Sequence, residues 1–324
     1  MPKRKCMWGE NKDNEVANAG MPGAAGEGPV SLTDAELITL EYYPPPPDLQ
    51  LLVTTFYYFR CDEREIVDIQ PAAVGAIIVF LKGQGNMYFD GRADPSHPVS
   101  LLAPATVAAP FEVEGPFHCI GAALSPLGWA VLTGLKADKY RDMLMNAVDH
   151  LGRDVSKMGD RVRSAYLAGE ASPEQMCVDL SAFIATHVRP VNLRHARLIA
   201  LVSQWLSKSY NPSIEELAEM SEYSVRQVQR LVERYFGVTP KMLIRKYRAL
   251  RVAAHLQDPD TDDETIAELI NLFYDQSHLI REIRLFAGRT PARLSDTEKP
   301  ILKELLSMRN FREIKPNVAA IPDD

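Results

Sequence analysis

Cysteine is scarce and scattered. The chain has four, Cys6, Cys61, Cys119 and Cys177, with neither the close spacing of a zinc site nor the density of a disulfide framework. Reduced structural thiols are expected, and no metal or cofactor; a redox-sensing pair is the alternative, with nothing to select which two. Long apolar runs are missing as well. No stretch of about 18 apolar residues exists to span a bilayer, and the basic start, Met1-Pro-Lys-Arg-Lys-Cys-Met-Trp8, is not followed by the apolar core of a signal peptide. A cytoplasmic protein with no membrane contact is expected. Histidine is sparse too: between Ile38 and Leu124 only His97 and His118 occur, far short of the converging His and carboxylate set that a metal site needs. His118 stands beside Cys119, a pairing that suggests a base and a nucleophile, but neighbours in a strand point to opposite faces. No catalytic residue is assigned.

What the chain does have is length and unevenly placed charge. At 324 residues, about two domains are expected from a prior of roughly 150 residues each, and an apolar fraction of 46% is ample for packed cores. Met1 to Leu193 carries 16 Lys and Arg against 24 Asp and Glu, a net of −8, whereas Arg194 to Ser295 carries 15 against 13, a net of +2. An acidic front half is poorly suited to lie along nucleic acid. It is expected to sense something or to dimerise.

The rear half holds a duplication. Two helix-turn-helix patterns follow each other about fifty residues apart. In the first, Ile214, Leu217 and Ala218 mark a short helix, and Ser224 can cap a second one by accepting from its unpaired N–H groups. At 100° per residue, Val225, Val228, Leu231, Val232 and Tyr235 share one arc, while Arg226, Gln227, Gln229, Arg230 and Arg234 take the other, with Glu233. Arg and Gln can make paired hydrogen bonds to the major-groove edges of guanine and adenine. From Ser224 to Arg251 there are eight Lys or Arg against one acid, in a chain whose net charge is −7. That local reversal of sign suits phosphate contact.

In the second unit Asp275 is a suitable cap, Leu279, Ile283 and Phe286 form the apolar stripe, and Gln276, Ser277, His278, Arg281 and Arg284 lie outward or on the flanks. Between the units Lys241 to Gln257 reads as one helix, apolar at Leu243, Ile244, Tyr247, Leu250, Ala254 and Leu256 and ending before Asp258-Pro259. It would set the distance between the two readers.

These residues carry a family resemblance. Ser224-x-Arg226-x-Val228-x-Arg230 with Gly237-x-Thr239-Pro240, then Asp275-x-Ser277-x-Leu279-x-Arg281-x-Ile283 with Gly288-x-Thr290-Pro291, resemble the twin signatures of the AraC/XylS transcription regulators over about a hundred residues, Arg194 to Leu294. The resemblance implies that both recognition helices enter successive major-groove segments of double-stranded DNA. It implies base contacts from Arg226, Gln229 and Arg230, and from Gln276, His278 and Arg281. The chain departs from the family at Val232, Leu279 and Ile283, where aromatics are usual, and at Leu272, where glycine is usual. Glycine in such a turn often supplies positive φ, so an altered angle is expected for the second reader.

In front of this region, residues 1–30 are rich in Gly, Ala, Asn and Glu without periodicity and read as a disordered leader; Lys3, Arg4 and Lys5 within it read as a solvated tail. Residues 31–125 hold short apolar runs broken by Pro and Gly: Leu51–Phe59, Gly75–Leu81, Asn86–Phe89, Val99–Leu102 and His118–Leu124. Such spacing argues for a sandwich or barrel. Tyr42-Tyr-Pro-Pro-Pro-Pro-Asp-Leu and the Leu124-Ser-Pro-Leu-Gly-Trp129 turn resemble the cupin-like sensor domains that precede this kind of DNA-binding region. Small barrels can enclose one small ligand; Tyr57, Phe59, Phe80, Tyr88 and Phe89 would line it or form core, and no effector residue is assigned.

Residues 126–190 show helical spacing, at Leu132, Leu135, Tyr140, Met143, Leu144, Ala147, Val148 and Leu151, then Val162, Tyr166, Met176, Leu180, Phe183 and Ile184. In the family such helices often join subunits, so a homodimer is expected, with packing inside one chain as the alternative. Residues 191–295 are the DNA-binding domain. Residues 296–324 hold a short amphipathic helix, Glu298 to Met308, with Ile301, Leu302, Leu305 and Leu306 apolar, expected to dock on either domain.

The fold class is therefore α+β and multidomain: a β-barrel, cupin-like domain with a helical appendage, then an all-α domain of two helix-turn-helix units joined by a linker helix. The function expected is sequence-specific DNA binding to regulate transcription, without catalysis, under a small-molecule effector in the front domain and with RNA polymerase as a further partner. The alternatives are a DNA-targeted enzyme working through the barrel and a non-specific architectural DNA binder. A DNA-repair methyl-acceptor enzyme would need a reactive cysteine cluster, which these four scattered cysteines do not form.

Overall fold

The structure, a computed structural model, describes residues 38–294 and 300–306. The expected leader and the stretch after Leu306 lie outside these residues. The front half is built on eight antiparallel strands: β1 (Ile38–Tyr43), β2 (Val53–Cys61), β3 (Glu65–Gln70), β4 (Ala76–Phe89), β5 (Arg92–Pro95), β6 (Val99–Leu102), β7 (Ala109–Leu124) and β8 (Leu144–Asn146). They pair in the order β1-β2-β7-β4-β6-β8, with β3 on β7 and β5 on β4. The path has two ends, so the expected barrel is an open sheet among the described residues. Strand β7 organises it: its first half pairs with β3, Ala109 opposite Gln70, and its second half with β2, Leu124 opposite Val53. The runs read separately as Gly75–Leu81 and Asn86–Phe89 are one strand, β4, which continues through Gly83 at φ +79.

Alternation along the long strands divides the sheet into two apolar faces. Phe56 and Tyr58, Ile77, Val79 and Leu81, and Ile120, Ala122 and Leu124 belong to one buried cluster. Phe59, Ile78 and Phe80, and Cys119 belong to the other. The first face is covered by the helices that follow: α1 (Pro126–Thr133), α2 (Ala137–Tyr140), α3 (Val148–Leu151), α4 (Arg153–Leu167) and α5 (Pro173–Thr186). Gly159 lets α4 approach β6, since a Cβ there would lie 2.2 Å from Val99 Cγ2. The residues read as a dimer interface are largely used inside the chain: Val162, Met176, Leu180, Phe183 and Ile184 are all buried in this cluster. Leu144, read as helical, lies in β8, where pairing with β6 outweighs local spacing.

The rear half consists of α6 (Leu193–Lys208), α7 (Ile214–Ser221), α8 (Val225–Phe236), α9 (Pro240–Gln257), α10 (Asp263–Ile270) and α11 (Gln276–Ala287). Each of these helices starts on a side chain that accepts from its first turn: Asn192, Ser213, Ser224, Thr239, Asp262 and Asp275. The turn between α7 and α8 uses Glu222 at φ 58. The turn between α10 and α11 uses no positive φ at all, so Leu272 stands where glycine is usual without backbone strain.

Helix α12 (Pro300–Leu305) lies within the stretch read as helical, Glu298 to Met308, whose ends fall outside the described residues, and it docks on both halves. Ile301 joins the second face of the sheet, while Leu302 and Leu306 join the core of the rear half. Its start is held by Asp68 on β3, 1% exposed, whose carboxylate accepts from Ile301 N at 3.0 Å and Leu302 N at 3.2 Å. No described helix is long and apolar enough to cross a membrane. Asp68→Ala leaves these buried amides unpaired and is expected to lower stability by about 1–3 kcal/mol. Denaturant midpoints check this, together with faster hydrogen exchange at Ile301 and Leu302.

Candidate nucleic-acid interface

Helix α8 owes its two faces to its sequence. Val228, Leu231, Val232 and Tyr235 are buried, whereas Arg226, Gln229, Arg230 and Arg234 are exposed at three- and four-residue spacing along one side. Ser224 and Gln227 form a reciprocal cap: Gln227 N–H donates to Ser224 Oγ, and Ser224 N–H donates to Gln227 Oε1 at 3.0 Å. Gln227 therefore works for the helix start, and its neighbours are left to face outward. Helix α6 lies behind, with His195 Nδ1 2.8 Å from Tyr235 Oη and the Arg194 guanidinium 5.4 Å from the Tyr223 ring centre.

Helix α11 repeats the plan, with Leu279, Ile283 and Phe286 buried and Gln276, Ser277, Arg281 and Arg284 exposed. His278 differs. Its Nε2 pairs with Glu282 at 2.9 Å and its Nδ1 accepts from Tyr274 N–H at 3.4 Å, so both ring nitrogens are engaged within the protein. Tyr274 itself, which sequence spacing did not single out, is 93% exposed at the entrance to α11.

Glu282 is the centre of a buried ion network. Its carboxylate, 1% exposed, meets Arg245 Nε at 2.6 Å, Arg248 Nη2 at 2.8 Å and His278 Nε2 at 2.9 Å. Burial pushes the Glu282 carboxyl up, but hydrogen bonds from Arg248 and Arg245 outweigh it and hold the group below the usual glutamate range. The network ties α9 to α11. A sequence signal existed: Glu282 sits at the apolar spacing, three residues after Leu279 and four before Phe286.

The same network corrects the charge count. Of the eight cations between Ser224 and Arg251, Arg245 and Arg248 are bound to Glu282, Lys246 is buried, and Arg251 packs 4.1 Å from the Tyr210 ring centre while donating to Ser209 O at 3.0 Å. Arg226, Arg230, Arg234 and Lys241 remain exposed.

The front half offers different chemistry. Beneath the second face of the sheet lies a partly open cavity of about 210 Å³, lined by side chains such as Tyr57, Phe80, Phe111 and Cys119 and bordered by Leu250 of α9 and by Ile301 and Leu305 of α12. Among the described residues no charged side chain lines it. His118 and Cys119 point to opposite faces, as alternation requires: Cys119 lines the cavity with its thiol pushed up by burial to about 12, while His118 is held between Asp62 Oδ1 at 2.8 Å and Tyr166 Oη at 2.6 Å. A thiol so raised is a poor nucleophile. Among the described residues no group of three or more His, Cys, Asp or Glu could hold a metal ion.

Comparison with known proteins turns on the rear half. Residues 217–296 match a family model described as a helix-turn-helix domain. Over those residues the rear of this chain is similar to that helix-turn-helix family. Two curated relatives of Pseudomonas putida, the XylDLEGF operon transcriptional activator and XylDLEGF operon transcriptional activator 1, are each 32% identical over 109 residues, which is 34% of this chain and 33% of theirs. The match thus spans about a third of the relatives' length, and the AraC/XylS resemblance read from the twin motifs stands for this helix-turn-helix domain. Among solved structures, ToxT from Vibrio cholerae aligns over 80% of this chain and 98% of its own, at 9% identity and a TM-score of 0.43.

Glu282→Gln is expected to destabilise the helix-turn-helix domain by about 3 kcal/mol near neutral pH, since it leaves the buried Arg248 guanidinium without a countercharge. A carboxyl held low in the folded state contributes stability that is present above its unfolded value and lost as pH falls below the ordinary value of 4.5. Denaturant midpoints measured from neutral to acid pH should therefore fall less steeply in Glu282→Gln than in the wild type.

Proposed function

We propose that this chain is a sequence-specific DNA-binding regulator of transcription that acts by equilibrium binding, without catalysis. The observation that carries the reading is the duplicated helix with one buried face and one exposed face of Arg and Gln, present in α8 and again in α11. Arg226, Gln229 and Arg230 are the base-contacting residues of the first reader, and Gln276, Ser277, Arg281 and Arg284 supply the surface of the second. With both ring nitrogens bonded inside the protein, His278 acts by holding the start of α11 rather than by reading a base.

The front half is the regulatory part, and the cavity is its effector site. A ligand there is neutral and largely apolar, because an ionised group would enter a wall whose described side chains carry no countercharge. At about 210 Å³ the space is somewhat larger than the roughly 150 Å³ that accommodates benzene in an engineered core, so one or two rings fill it. Such a ligand touches Leu250 and Ile301 directly and so favours one arrangement of the two halves over another. The protein acts in the cytoplasm. RNA polymerase and a second copy of the chain are the partners that the AraC/XylS resemblance implies.

Specific reading and architectural binding part company at Arg226→Ala. Specific readout is expected to lose about 1–3 kcal/mol at the preferred site and to relax preference at one base pair. Equal weakening on every duplex, measured by fluorescence anisotropy at fixed salt, would instead make the protein a general DNA binder. For the effector site, a neutral apolar fluorescent dye is expected to bind with one-to-one stoichiometry, and Ala76→Trp, which fills the cavity, is expected to abolish that binding while near-ultraviolet circular dichroism stays folded.

A further inference from the structure

The two recognition helices are seated on the front half of the chain at their C-terminal ends, and by the same device. Each stops at a left-handed glycine, Gly237 at φ +80 after α8 and Gly288 at φ +85 after α11. Each glycine also faces a close approach. A Cβ on Gly237 would lie 3.3 Å from Ala137 O, and one on Gly288 would lie 2.5 Å from Ile69 Cγ2 and 3.2 Å from Ala108 Cβ.

The carbonyls that a helix leaves unpaired at its end are then taken up by the front half. Arg141 Nη1 donates to Gly237 O at 2.8 Å. Ala108 N donates to Leu285 O at 2.9 Å, and Ala72 N donates to Phe286 O at 2.8 Å. Between these two points, Lys246 of α9 reaches into the front half, 5% exposed, and its ammonium donates to Ala73 O at 2.9 Å and Ala105 O at 2.8 Å. Ala72 and Ala73 are consecutive, and Ala105 and Ala108 belong to one connection between β6 and β7. The middle of α9 and the end of α11 therefore rest on the same two segments of backbone.

We propose that Lys246 and Arg141 are positioning residues for DNA reading: away from the duplex, they hold α8, α9 and α11 on the front half so that one separation of the two DNA elements is preferred. The inference rests on the DNA-reading function proposed above. Its magnitude follows from α9. A helix of 18 residues is about 27 Å long, so a tilt of roughly 7° carries its far end about 3.4 Å, one base-pair step along a strand. An 18-residue strut gripped only at its ends can lose register by that amount. One pinned by a buried ammonium part-way along it, with both neighbouring helices seated, is kept from doing so.

The test uses the full-length chain and duplexes that carry the two elements it selects, stepped one base pair at a time across about one helical turn of 10 base pairs. The wild type is expected to favour one separation by about tenfold or more over its neighbours. Lys246→Met is expected to flatten that preference to within about threefold, to bind a duplex holding the first element alone within about twofold of wild type, and to be partly rescued in Lys246→Arg. Arg141→Ala, at a side chain 49% exposed, gives the same flattening and decides the matter if Lys246→Met does not fold. An unchanged separation profile in the folded variants overturns the positioning role while leaving DNA reading intact. Absence of any sequence preference in the wild type overturns both.

Discussion

A sheet that is apolar on both faces has to be covered twice, because leaving either face in water forgoes roughly 25 cal/mol for each Å² of apolar surface. Here the first face, through Ile77, Val79, Leu81 and Ile120, takes the helices that follow it in the chain. Among the described residues the second face, through Phe59, Ile78, Phe80 and Cys119, has no local helix to take. It is covered from the far end of the sequence by Ile301 of α12 and approached by Leu250 of α9. That requirement joins the two halves of the molecule. It also explains why the cavity lies where it does, since α12 and one residue of a linker border the face without filling it.

In the function proposed, regulation and recognition meet at this seam. Gln70, Pro71, Ala72, Ala73 and Val74 form part of the cavity wall, and within the same segment Ala72 bonds the end of α11 and Ala73 bonds Lys246. An occupant of the cavity touches the backbone that seats the second recognition helix. A binding event of modest differential affinity is enough to shift such an arrangement, because coupling between sites of about 1–3 kcal/mol changes affinity by roughly 5- to 150-fold.

The rear half was legible from the sequence because its signals are local. Ser224 and Asp275 as caps and the apolar stripes of α8 and α11 each act within a turn or two, and the structure places them as read. The strands were legible only in part. The short β8 depends on its partner β6, and β4 runs on through a glycine that reads as a break. The fate of charge was the least legible. Arg245, Lys246, Arg248 and Arg251 look like a basic face in sequence, yet their partners, Glu282, Ala73, Ala105 and Ser209, lie between 34 and 173 residues away along the chain. Burial of a cation is decided by such distant acceptors, and only Glu282, at an apolar spacing, hinted at it.

The measurement that tests this account most directly is selection of bound sequences from a random duplex pool by the full-length protein at about physiological salt, where specific binding exceeds non-specific binding by orders of magnitude. Two helices that read together predict enrichment of a motif with two elements about one helical turn apart. A pool that shows no enrichment after repeated rounds would contradict sequence-specific reading by α8 and α11.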